Sequence, residues 1–209
     1  MRWMMMSLFG AIVTCAIARE VVVIKPTANL NTPNSVYLEF DFYRYMSSSN
    51  SYLAEAVYVQ VKPSARFDFG VDRVHTDSGA AAQTLWNLRY VASPETERTF
   101  GVAIGAFEIA HDIPPTVYLV GTRTQGQGTL HTGVYLRQAH IGWGIAYQYL
   151  TSQKIELAVE YYRQPNGDGL LSLCLTRSVQ ERVSLSVYAT ANDRTRKLEV
   201  IGASVAFNL

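Results

Sequence analysis

The sequence predicts an all-β protein, a closed up-and-down antiparallel transmembrane β-barrel of about twelve strands. Three observations carry that expectation. Apolar and polar residues alternate with period two from about Val36 to the C-terminus. Clusters of turn-forming residues interrupt the alternation at short, regular intervals. The polar face is built from small hydroxyls, glycine, alanine and a few carboxylates, whereas a soluble sheet usually spreads lysines over its wet face. The only four lysines, Lys25, Lys62, Lys154 and Lys197, fall at the ends of the runs or between them, which predicts a lysine-free inner face.

The first eighteen residues read as a secretory signal. Arg2 supplies a thin positive start, Met4 to Ile17 is mostly apolar, and Ala16-Ile17-Ala18 has the small-x-small form of a cleavage site. The mature chain then begins near Arg19. The alternatives are a buried N-terminal strand or helix, or a lipoprotein signal at Ile12-Val13-Thr14-Cys15, which threonine before the cysteine fits poorly. Residues 19–34, with Pro26 and Pro33, form an extended lead-in, and residues 35–209 form the barrel.

Strands are expected at about 36–46, 53–61, 65–74, 84–91, 99–110, 116–122, 130–137, 142–150, 154–162, 170–177, 182–191 and 197–208. Most run eight to twelve residues, which matches the roughly 9–11 that a tilted membrane strand needs. The connections, such as Lys62-Pro63-Ser64, Ile113-Pro114-Pro115 and Pro165-Asn166-Gly167-Asp168-Gly169, are too short for parallel crossovers, so successive strands run antiparallel.

The last four strands define the two faces. Leu157 and Val159, Leu171 to Leu175, Leu185 and Val187, and Ile201 to Phe207 lay down one band of bulky hydrophobes at alternate positions. Glu156 and Glu160, Ser172 and Cys174, Ser184 and Ser186, and Gly202 and Ser204 lie opposite, as suits a confined hydrated lumen. Tyr45, Tyr52, Trp86, Tyr90, Phe100, Trp143, Tyr149, Tyr161 and Phe207 sit near strand ends as candidates for aromatic girdles. In hydrocarbon every backbone polar group must pair internally, so the first and last strands must meet.

Several classes are excluded by pattern. A net charge of +1 gives no field for nucleic acid. Only Cys174 follows the signal, so no internal disulfide forms, and no C-x-x-C occurs. No stretch after the signal reaches the roughly 18 apolar residues of a membrane helix.

The signal, dyad-repeat strands, short turns and terminal Val205-Ala206-Phe207-Asn208-Leu209 together resemble the bacterial outer-membrane β-barrel proteins as a broad class. Gly202, Val205 and Phe207 fit the terminal strand of that class; Leu209 departs from it, because the aromatic stands third from the end. The resemblance implies residence in the bacterial outer membrane, contact with its lipid, and folding by the barrel-assembly machinery through the C-terminal strand.

About twelve strands near 4.7 Å apart, tilted about 40°, enclose a backbone diameter of roughly 24 Å and leave a lumen of ~10 Å. The expected lumen-lining residues are Glu39, Asp41, Arg66, Asp68, Asn87, Arg89, Tyr135, Arg137, Glu156 and Glu160. Such charges either line a narrow pore for small solutes or ions, or pair across the lumen and seal it. No cofactor or metal set is spaced for binding. No His-x-Ser element follows His75, His111, His131 or His140, and His75, Asp77 and Ser78 share one expected loop. The reading is therefore non-enzymatic: a narrow porin-like channel or a structural membrane protein. The alternatives are an outer-membrane lipid-modifying enzyme and a soluble secreted β-barrel that binds a small apolar ligand inside.

Overall fold

A computed structural model describes residues 27–28, 32–46, 51–77, 81–111, 113–165 and 167–209. The expected signal at 1–18 and the side chain of Tyr52 lie outside these. The strands are β1 (Ser35–Met46), β2 (Ser51–Lys62), β3 (Phe67–Thr76), β4 (Gln83–Ser93), β5 (Gly101–Ile109) and β6 (Thr116–Gln125). They continue as β7 (Gly128–Arg137), β8 (His140–Leu150), β9 (Ile155–Arg163), β10 (Gly169–Gln180), β11 (Val183–Asn192) and β12 (Leu198–Asn208).

Each strand pairs antiparallel with its neighbours in sequence, and β1 closes on β12 from Tyr37↔Asn208 to Tyr45↔Val200. Beyond that ladder Val36 and Leu209 exchange backbone bonds at 3.0 and 2.8 Å. Closure leaves no open sheet edge, so the backbone of the wall is satisfied internally. The start of β1 and the end of β12 lie at one mouth, called the proximal mouth below.

Alternation turns the bulky hydrophobes outward. Leu171, Leu173 and Leu175 on β10 are 51, 50 and 43% exposed, while Ser172 and Cys174 between them are buried at 1 and 2%. The same contrast recurs on β1, where Phe40 and Phe42 are exposed and Glu39, Asp41 and Tyr43 are buried. This is the reverse of a soluble barrel, whose bulky aliphatic side chains face inward. Among the described residues many inward side chains are buried, Tyr43, Tyr58, Tyr135 and Tyr162 among them.

Trp86, Tyr90, Phe100, Trp143 and Tyr149 are exposed on the outer face, as girdle residues must be. Tyr45 is not one of them. It shares the parity of Tyr43 and is buried inside at 5% exposure. Lys62 corrects a second expectation: as the last residue of β2 it turns inward, with Nζ 5.6 Å from the Tyr37 ring centroid, so the inner face is not lysine-free.

Turn chemistry explains most hairpins. Gly126 takes φ 61° between β6 and β7. The β7–β8 hairpin has no such residue: Gln138 and Ala139 both adopt positive φ, 47° and 66°, in a two-residue turn where Asn-Gly is the favoured pair. The expected 99–110 strand also differs. Trp86 pairs with Ile109 and Leu88 with Ala106, so three steps on β5 match two on β4, and Glu108 has φ 59°. This bulge sends Phe107 and Glu108 inward together.

Candidate functional site

The inner wall carries the polar chemistry, in two layers. Near the proximal mouth, Gln60 on β2 donates to Asp68 on β3 at 2.5 Å, and Asp68 accepts Nε of Arg89 on β4 at 2.7 Å. Both members of that ion pair are almost fully buried. Arg89 then donates through Nη1 to the carbonyl oxygen of Thr27 at 2.8 Å. The next residue, Ala28, donates its amide to Thr122 Oγ1 on β6, also at 2.8 Å. Thr122 Oγ1 lies 2.9 Å from Nδ1 of His131 on β7, and His131 Nε2 lies 2.7 Å from Gln148 Oε1 on β8. Gln148 finally donates Nε2 to Glu156 on β9 at 3.2 Å.

The ends of this belt fix its proton directions. Glu156 as a carboxylate accepts, so the Gln148 amide nitrogen faces it and Oε1 must accept from His131 Nε2–H. Nδ1 of the neutral imidazole is then the acceptor for the Thr122 hydroxyl, whose oxygen accepts Ala28 N–H. From the Ala28 amide to Glu156 the belt is therefore one directed run, whereas Arg89 donates both ways, to Asp68 and to the Thr27 carbonyl oxygen.

The second layer lies deeper. Tyr188 Oη donates to the two oxygens of Asp41 at 2.9 and 2.8 Å, while Tyr37, level with Gln60 of the belt, donates its hydroxyl down to Glu39 at 2.8 Å. Asn87 donates to Asp72 at 2.6 Å and accepts the Glu108 amide at 3.2 Å. Arg137 donates to Glu108 at 2.9 Å. Phe107, Tyr118, Tyr135 and Tyr162 form a run of ring contacts, the last pair edge-on at 5.2 Å.

All of the sequence-selected residues except Arg66 take these inward positions, with Glu160 buried at 1%. Arg66 is a correction. The proline-containing connection runs one residue pair further than the alternation indicates, β3 begins at Phe67, and Arg66 stands exposed in the turn, its amide facing Ser64 Oγ at 3.3 Å. Residues not singled out from sequence include Gln60, Lys62, Asp72, Glu108, Thr122, His131, Gln148 and Tyr188. Asp72 shares the parity of the selected Asp68, His131 that of Tyr135 and Arg137, and Tyr188 that of Ser184 and Ser186 on the polar face. Glu108 does not: strict alternation places it outside, and only the bulge brings it in.

The inward-facing described residues include seven acids (Glu39, Asp41, Asp68, Asp72, Glu108, Glu156 and Glu160) and three bases (Lys62, Arg89 and Arg137), so acids predominate. His75 belongs to β3 rather than to a loop and faces outward, 3.6 Å from Glu55 on β2. Among the described residues no hydroxyl approaches it, and no group of three or more His, Cys, Asp and Glu is arranged to hold a metal ion.

No protein-family model matches the chain. No curated protein matches it in sequence. Solved structures do match in fold. A KdgM porin superposes with a TM-score of 0.62 at 12% identity, over 81% of this chain and 98% of that one. A second structure, KdgM porin in complex with disordered oligogalacturonate, gives 0.61 at 12% identity, over 83% and 98%. An active-site mutant of outer membrane phospholipase A from Escherichia coli gives 0.53 at 11% identity, over 85% and 91%. At these identities the likeness is one of fold: a closed antiparallel barrel shared with bacterial outer-membrane proteins.

Proposed function

We propose that this chain is a narrow outer-membrane channel for small solutes that favours cations. The observation that carries the reading is the inside-out wall, with leucines and valines exposed and acids predominating among the described charges turned to the axis. Export through a signal at 1–18 would deliver it to the outer membrane, where the barrel-assembly machinery and membrane lipid are its partners. The hydrophobic band gives lipid its contact, and the closed ladder meets the requirement that no backbone group be left unpaired in hydrocarbon.

The fold neighbour in complex with disordered oligogalacturonate, a polyanion, sharpens the substrate question. An acid-rich lining repels such a ligand and lowers the energy of a cation at the axis. Neutral and cationic small solutes fit this lining. Planar-bilayer recording of protein purified from the membranes of an expressing Gram-negative host tests the reading. The expected result is discrete steps and a reversal potential of the cation-selective sign in a KCl gradient. Folded protein that gives no steps removes the channel, and an anion-selective potential removes the cation preference.

A further inference from the structure

Thr27 and Ala28 precede β1 by several residues, yet they do not lie at its foot. They are buried at 2 and 1% exposure against the far side of the proximal mouth, four strands round the wall from β1. Their backbone is bound from both sides, Arg89 Nη1 to Thr27 O and Ala28 N to Thr122 Oγ1, each at 2.8 Å. Arg89 sits on β4 and Thr122 on β6, so the dipeptide bridges across β5. Gly101 on β5 makes the room: a Cβ there would stand 3.2 Å from the Ala28 carbonyl oxygen and 3.1 Å from the Glu95 amide nitrogen. The chain enters β1 by a turn. Thr32-Pro33-Asn34 is exposed, Asn34 takes φ 56°, and Ser35 Oγ donates to Thr32 O at 2.6 Å. Proline followed by a positive φ is the chemistry of a tight reversal, and it redirects the lead-in into the wall.

We propose that Thr27–Ala28 is an internal strap: a stretch of peptide backbone, seated in a wall site made by Arg89, Gly101 and Thr122, that narrows the proximal mouth in cis. The site reads backbone rather than side chain. It offers one donor, one acceptor and a glycine floor, which is what an extended peptide presents. Arg89 is held in place for this by Asp68, and Thr122 by His131, so each anchor is set by its own neighbour. With the strap in place the belt from Gln60 to Glu156 is continuous; without it the belt breaks between β4 and β6. The narrowing rests on the channel reading above, and the docking does not.

The test separates the two. In a Cys174→Ser background, the pair A28C and T122C is introduced and the folded protein is oxidised in detergent. A crosslink that blocks maleimide labelling is expected. Bilayer recordings then compare the crosslinked protein with a variant from which residues 27–31 are excised, and with A28P/T122V should the excision fail to fold. Conductance at least twofold above that of the crosslinked protein is expected. Free, maleimide-reactive thiols overturn the strap whatever the currents do. A crosslink with unchanged conductance on release also overturns it, while the channel stands. A crosslink with no current from any variant overturns the channel reading and the narrowing with it.

Discussion

Arg137 on β7 donates to Glu108 on β5 at 2.9 Å, across the strand that separates them. The pair exists because β5 carries one residue more than β4 over the same span. Glu108, in a left-handed conformation, swings from the lipid-facing parity into the lumen, 1% exposed. The Arg137 side chain, 23% exposed, meets it there. A buried acid beside a partly buried arginine is costly to separate, because either ion left alone keeps its desolvation penalty.

Removing one partner should therefore cost more than removing both. Glu108→Gln and Arg137→Met should each lower unfolding stability by about 3 kcal/mol. The double variant should recover part of that loss. Urea unfolding in lipid vesicles, read by tryptophan fluorescence, measures all three, and additive losses would show that the pair is not coupled.

The outward face of β10 offers a direct test of direction. Leu173 stands midway along the strand, opposite Val159 and Ala189, and is half exposed. Leu173→Arg places a charge in hydrocarbon and should destabilise the folded barrel by about 2–4 kcal/mol. Leu173→Phe should be nearly neutral. A barrel that tolerates the arginine as well as the phenylalanine has no lipid at that position.

The β7–β8 turn is improvable. Gln138 and Ala139 both pay for positive φ, and a non-glycine residue there costs roughly 1–2 kcal/mol. Replacement by Asn-Gly, Q138N/A139G, should raise stability by about 1 kcal/mol, with glycine's extra unfolded-state entropy offsetting the rest. A thermal or urea midpoint that falls instead would mean that the turn relaxes out of this geometry.

Gly202 on β12 faces the ring of Tyr188 on β11, where an added Cβ would come within 2.3 Å. Tyr188 cannot simply move, because both oxygens of Asp41 hold its hydroxyl. Gly202→Ala should cost about 1–3 kcal/mol through overpacking. Tyr188→Ser in the same chain should abolish that increment, which a double-mutant cycle reads.

Asp193 gives a pH signature outside the strands. It lies in the β11–β12 turn, where Tyr161 Oη donates to Oδ2 at 2.8 Å and the Gly169 amide to Oδ1 at 3.0 Å. The Tyr161 hydrogen bond foremost, with help from Gly169, holds its carboxyl below the ordinary value. A lowered folded value means that the contact stabilises above the ordinary carboxylate value of about 3.9, and that this stabilisation is lost as pH falls through the lowered one. Asp193→Asn should therefore lower the thermal midpoint at pH 7 and leave it close to the parent's in strong acid. A difference that persists unchanged into strong acid would rule out the carboxylate as its source.

Strand number, order and inward parity were legible in the chain itself. A strand's side chains must alternate, so Leu171-Ser172-Leu173-Cys174 fixes which residues share a face, and short turns permit only neighbour-to-neighbour pairing. What the tertiary structure alone decided were the places where alternation breaks or where distant segments meet. Glu108 entered the lumen through one extra residue in β5, Arg66 fell outside it because the strand began late, and Thr27–Ala28 found partners 62 and 94 residues away. Local pattern carries no record of these, since a bulge, a strand's first paired residue and a long-range backbone bond are each set by the closure of the whole ladder.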